Sequence, residues 1–101
     1  MAEIKIPFND WSKDKLNKQL KNATSRYKKY GKVGDTFEVN GWKYELEIVV
    51  KLPLWFISFY LYKSEGCNSS NGFESIWEEI HPRKGFLPFD EVWYHYFKEI
   101  C

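Results

Sequence analysis

Near its start the chain carries three side chains of complementary chemistry: an amine at Lys21, a hydroxyl at Thr24 and a guanidinium at Arg26. A threonine hydroxyl is a poor nucleophile until a neighbouring base takes its proton, and a lysine is such a base only as the neutral amine. At a reference pKa of about 10.4, only on the order of one lysine in 2,500 is neutral near pH 7. Bringing that value to about 7.5 takes roughly 4 kcal/mol of differential destabilisation of the ammonium, which burial and a nearby Arg26 can supply in a closed mouth but not on an open surface. The same stretch also suits binding, because Arg26-Tyr27-Lys28-Lys29-Tyr30-Gly31-Lys32 alternates cations with rings. Lysines neutralise phosphates, and tyrosine or arginine planes stack on unpaired bases for about 1 to 3 kcal/mol each. The bland alternative is a Thr24 paired within a sheet, an Arg26 salt bridge, Lys21 on a solvated helix face and Tyr27 tucked into the core.

The elements around these residues decide whether they meet. If Thr24–Tyr27 is extended, side chains two apart share a face, so Thr24 and Arg26 point together and Ser25 points away. Lys21 reaches the same spot from the exit of a helix with Asp10 or Ser12 as N-cap, Trp11, Leu16 and Leu20 on one side and lysines on the other. Before it, Ile4 and Ile6 alternate with Glu3 and Lys5 as a short first strand. A turn over Gly31–Asp35 leads into a hairpin, Thr36–Val39 and Trp42–Val50, around Asn40-Gly41, the pair that supplies the positive φ angles of a type I′ turn. Leu54–Tyr62 reads as a helix, with Pro53 in front suited to a first helical position, although its Trp, Phe, Ile and Tyr also favour strands. Phe73, Ile76, Trp77 and Ile80 fall at helical spacing, with Asn71 and Glu74 as a capping box and His81-Pro82 as the stop. Val92–Ile100 alternates as a closing strand.

At 101 residues there is room for one domain, residues 1–101, around one core. Hydrophobic residues at 44% and aromatics at 20% are too much apolar surface for a disordered chain. Met1–Phe8 lacks a charged segment followed by an apolar one, and the longest apolar run, Leu52–Tyr62, is about half a membrane span. Cys67 and Cys101 do not make the dense framework of small secreted domains, so a cytoplasmic setting is expected. No pair among Cys67, His81, His95 and Cys101 has zinc-motif spacing, so neither metal nor cofactor is expected. The formal charge of +1 hides a division: Lys13–Lys32 holds eight cations against Asp14, and Glu65–Glu91 holds six acids against Arg83 and Lys84. One face should be positive and another negative. The tryptophans Trp11, Trp42, Trp55, Trp77 and Trp93 are read as core residues, and some of them could instead line a base pocket.

Three motifs stand in order: Lys21-x-x-Thr24-x-Arg26 after a basic helix, Tyr30-Gly31-Lys32-Val33-Gly34-Asp35-Thr36-Phe37-Glu38-Val39, and Glu65-Gly66 before an amphipathic helix. Together they resemble the ASCH domain family, small barrels of the PUA-like superfamily, from Ile4 to the last strand. The resemblance implies an α+β fold, a small β-barrel of about five or six strands with two or three flanking helices. PUA-like barrels bind structured or modified RNA, some ASCH proteins look like ribonucleases, and one branch deacetylates N4-acetylcytidine with a Lys, a Thr and a Glu. The matching positions are Lys21, Thr24 and Glu65, and Gln19 stands where the family often has glycine. An ionised Glu65 beside Lys21 would raise the lysine pKa and oppose its use as a base.

The implied function is RNA or modified-nucleotide binding through a basic cleft of Lys18, Lys21, Arg26, Tyr27, Lys28, Lys29, Tyr30 and Lys32. The alternative is an ASCH-type hydrolase using Lys21, Thr24 and Glu65. A third reading is a protein-interaction domain using Trp77 or Trp93 in the acidic C-terminal third. The expected partner is RNA or a nucleoside rather than a membrane, for a monomer or weak dimer.

Overall fold

The structure is a computed structural model that describes residues 2–100. Helix α1 runs Asp10–Asn17, and its cap is Asn9 rather than Asp10 or Ser12, because the Asn9 side chain accepts the N–H of Ser12 at 2.8 Å. Its exit is a two-bond reversal in which Gln19 N–H donates to Leu16 O and Leu20 N–H to Lys15 O. That reversal needs one residue in the left-handed region, commonly glycine. Here Gln19 takes it, at φ 60°. The turn ends the helix and delivers Lys21 to the head of the first strand.

Strands β1 (Ala23–Arg26), β2 (Thr36–Val39), β3 (Trp42–Pro53) and β4 (Glu91–Ile100) form one sheet in the order β1-β4-β3-β2, antiparallel at every pairing. The β2–β3 hairpin turns at Asn40 and Gly41 with φ of 56° and 80°, as the Asn-Gly pair dictates. The strand count is lower than the expected five or six. Ile4–Ile6 makes no strand, only a parallel bridge between Glu3 and Thr36, and Pro7, lacking an N–H, cannot extend it. The result is a half-open barrel whose edges are β1 and β2.

Helix α2 (Leu54–Tyr60) follows β3 without a loop, and Pro53, still extended at φ −71° and ψ 146°, is its N-cap rather than its first helical residue. Helix α3 (Ser70–Ile80) is capped by Ser69, which accepts the N–H of Gly72. The expected Asn71–Glu74 capping box is absent because the Glu74 carboxylate accepts from Ser58 and Ser70 hydroxyls instead. Glu74 thus pins α3 to α2.

A bulge in β3 between Leu46 and Ile48 shifts the register against β4, so the inward face changes parity along the strand. Leu46, Tyr44, Phe37 and Phe97 pack with Leu16 of α1 on one side, and Val92, Tyr94 and Ala23 pack with Leu54, Ile57, Phe73 and Trp77 on the other. β4 is therefore buried on both faces. Of the five tryptophans, Trp77 joins this core and Trp11 packs against it. Trp42 and Trp55 are exposed, against the expectation of core packing. They fall on the outer side of a sheet and of a helix covered by no further layer.

Candidate functional site

Lys21 and Glu65 meet. The Lys21 amine donates to Glu65 Oε1 at 3.3 Å and to the Glu65 main-chain carbonyl at 3.0 Å, and the two residues are 6% and 5% exposed. Lys21 is therefore not on a solvated helix face. Glu65 is brought in by a loop that Gly66 lets approach: at φ 91°, a Cβ there would sit 3.2 Å from Lys21 Cβ and 3.3 Å from Lys15 Cβ. Backbone bonds from Asn22 and Ala23 N–H to Ser64 O tie the same loop to the edge of β1.

Thr24 and Arg26 point together as an extended strand requires, and Arg26 Nε donates to Thr24 Oγ1 at 3.1 Å. Arg26 also donates to Pro7 O and lies over the rings of Phe8 and Tyr30 at 5.1 and 5.6 Å. Thr24 makes no hydrogen bond to Lys21 or Glu65 among the described residues. Ser25 does point to the other face, but that face holds the acid: Ser25 Oγ donates to Glu65 Oε2 at 2.6 Å. The expectation that Ser25 turns away from the site is thus corrected. Because β1 is an edge strand, both of its faces open on the same concavity. The adjacent hydroxyls of Thr24 and Ser25 were the available signal.

That concavity has a volume of about 530 Å³, within the range of roughly 300 to 1,000 Å³ usual for small-molecule sites. Lys21, Thr24, Ser25, Arg26 and Glu65 line it together. Its apolar wall comes from Trp11, Phe73, Ile76, Trp77 and Ile80, with Tyr27 and His81 beside them. Ile76 and Ile80 explain why the apolar stripe of α3 is wider than the core needs. Trp77 stacks on His81 at 4.2 Å and meets the edge of Tyr27 at 5.6 Å. The third reading loses its Trp77 surface, since Trp77 is buried.

The basic segment is less free than its sequence suggests. Lys18 is exposed and pairs with Asp14 at 3.1 Å. Lys28 and Lys29 are exposed but lie over Tyr30 and Trp93 at 5.2 and 4.9 Å, and Lys51 shares Trp93. The Tyr27 hydroxyl donates to Asp90 and Lys84 covers its ring at 4.1 Å. Lys32 is exposed while its N–H donates to Asp35, whose carboxylate also accepts from Ala2. Those backbone bonds hold the Asp35 carboxyl below its usual range, so the Lys-x-Gly-Asp turn is architectural. Lys21, the one cation of this set that is buried, meets an acid of the opposite charge block.

Burial pulls the Lys21 amine below the usual lysine value; Glu65 draws it back up and Arg26 adds to the lowering. Burial pushes the Cys67 thiol up to about 11 and the Tyr94 phenol up to about 12, so neither is an anion near neutrality. Burial likewise lowers His95. His95 Nε2 accepts the N–H of Tyr30 at 3.1 Å, which requires a lone pair there, and Nδ1 faces Thr24 O at 3.2 Å. His95 is thus a neutral ring joining the basic segment to β1. Among the described residues no group of three His, Cys, Asp or Glu is placed to hold a metal ion. Cys101 lies outside the described residues. No described helix is long and apolar enough to cross a membrane.

No family model and no curated protein matches the chain. A solved structure does: the ASCH domain from Lactobacillus crispatus JV V101, at TM-score 0.63 and 16% identity, covers 97% of this chain and 78% of its own. The chain therefore has the ASCH fold.

Proposed function

We propose that this chain is a small hydrolase that takes a single nucleoside, or a nucleotide turned out of an RNA strand, into its pocket and removes an acyl group from the base. The observation that carries the reading is the buried Lys21–Glu65 pair and two β1 hydroxyls at the floor of an aromatic-walled cavity of about 530 Å³. Flat rings suit a flat heterocycle, and burial of the polar floor strengthens every charge interaction there. Lys21 works as the ammonium, the form that the Glu65 carboxylate at 3.3 Å favours against the pull of burial. It orients the carboxylate and polarises the acyl carbonyl, which leaves Glu65 as the base. Thr24, whose oxygen accepts from Arg26, keeps its own proton free to bind the substrate.

The test is incubation with N4-acetylcytidine, with chromatographic detection of cytidine. Wild type should convert it, and Lys21→Ala and Glu65→Gln should each lose on the order of 100-fold or more. Unchanged substrate with wild type, or equal turnover in the variants, refutes the reading.

The exposed Lys28, Lys29 and Lys32 favour an RNA strand as the carrier of that base. With about three phosphates neutralised, log K should fall with log salt at a slope near −2 for single strands. Salt-independent binding would remove RNA from the proposal.

A further inference from the structure

Ser25 has no part in the Lys-x-x-Thr-x-Arg pattern, yet its hydroxyl is the one the acid touches. Ser25 Oγ donates to Glu65 Oε2 at 2.6 Å while Lys21 holds Oε1 at 3.3 Å. All three residues are at most 6% exposed, and all line the cavity. A short O–H to carboxylate bond puts the serine proton on the path to its acceptor, the nucleophile–base contact that hydroxyl nucleophiles require. Thr24 has no such base among the described residues.

The backbone adds a second observation. Phe97 N–H donates to Asn22 O at 2.9 Å, and Ala23 pairs with Tyr96 and Thr24 with His95. By antiparallel alternation, Thr24 exchanges its main-chain bonds with β4, and Ala23 and Ser25 direct theirs to the open edge of β1. The Ala23 N–H is taken by Ser64 O. The Ser25 N–H, directed to the same edge, has no backbone partner among the described residues, and Ser25 lines the cavity. A nucleophile's own N–H beside its hydroxyl is a donor placed for an oxyanion. Lys21 has a third N–H beyond the two it spends on Glu65.

We propose that Ser25 is the nucleophile of the deacylation, with Glu65 as its base, an assignment that rests on the hydrolase reading above. Ser25 Oγ attacks the acyl carbonyl carbon and its proton passes to Glu65 Oε2. The carbonyl electron pair moves onto oxygen, held by Ser25 N–H and the Lys21 ammonium. Collapse breaks the C–N bond, Glu65 returns the proton to the leaving nitrogen, and an acyl ester of Ser25 remains. Water then attacks that ester, gives its proton to Glu65, and the carboxylic acid departs as Ser25 recovers its proton. Lysine never needs to be neutral in this sequence.

The experiment uses two probes on wild type, Ser25→Ala, Ser25→Cys and Thr24→Val: N4-acetylcytidine for turnover, and 4-nitrophenyl acetate with acid quench and peptide mapping for the acyl site. The proposal expects acetyl on the Ser25 hydroxyl of wild type, on the thiol of Ser25→Cys and nowhere on Ser25→Ala. It also expects kcat on N4-acetylcytidine to fall by about 1,000-fold or more in Ser25→Ala with KM little changed, and less in Thr24→Val. Acetyl-Ser25 from the ester with an inert nucleoside refutes the substrate but supports the nucleophile. Turnover surviving in Ser25→Ala, acetyl on Thr24, or no acetyl on wild type overturns the Ser25 assignment, and in the first two cases the hydrolase reading stands. Peptide mapping of wild type decides the matter if Ser25→Ala does not fold.

Discussion

Removing charge from one side of the Lys21–Glu65 pair should cost the fold more than removing it from both. The two side chains are 4% and 6% exposed with their charges 3.3 Å apart. At an effective dielectric of about 20, such charges attract by roughly 5 kcal/mol, which is similar to the several kcal/mol that burying the ions loses in hydration. The pair is therefore close to neutral as a unit. Lys21→Met leaves a buried carboxylate with Ser25 as its remaining donor, and Glu65→Gln leaves a buried ammonium; each should cost about 3 to 5 kcal/mol. The double variant should fall within about 1 kcal/mol of wild type or above it. For a domain of this size a 4 kcal/mol loss lowers Tm by roughly 16 to 30 °C. The assay is urea unfolding of the four proteins followed by tryptophan fluorescence. The pH adds a signature: burial already holds folded Lys21 below its unfolded value of 10.5, and Glu65→Gln removes the charge that draws it back up. The unfolded chain then binds more protons between the two values, so the stability of Glu65→Gln should rise with pH toward 10.5 relative to wild type. A coupling energy below about 0.5 kcal/mol between the two substitutions would refute the reasoning.

Gln19→Gly should stabilise the chain by about 1 kcal/mol in the same assay, since Gln19 holds a φ of 60° in the helix-ending reversal where glycine is unstrained. Gly66→Ala should destabilise by about 2 kcal/mol or more and lower turnover. Its φ of 91° is unfavourable for alanine and its new Cβ would press on Lys15 and Lys21, moving Glu65 off its partners. His95 is held neutral below its ordinary value by burial, so its contribution is complete above the unfolded pKa of about 6.5 and is lost as pH falls toward the folded one. Urea midpoints at about pH 7 and pH 5 should differ more for wild type than for His95→Gln; equal differences would show that the Tyr30 N–H bond to His95 does not depend on protonation.

Local patterns carried much of this protein. Asn40-Gly41 specified the hairpin turn, Gly31–Asp35 its lead-in, the Phe73–Ile80 spacing a helix, and Lys21-x-x-Thr24-x-Arg26 the neighbourhood of the site, because each is decided within a few residues by backbone sterics or side-chain periodicity. The Ile4–Ile6 segment shows the limit of such reading. Its alternation is that of a strand, but strand formation needs a partner, and Thr36 offers only a bridge before Pro7. The tryptophans show it too, since a large ring at helix or strand spacing says nothing about whether another layer covers it.

The chain supplies a lysine, two hydroxyls, an arginine, and an acid forty-four positions from the lysine. Folding is what gives Glu65 both Lys21 and Ser25, withdraws Lys21 from the basic surface and leaves β1 as an edge strand whose residues line one cavity. Strand order and loop docking are set by long-range packing, and those contacts leave no periodicity in the local sequence to be read.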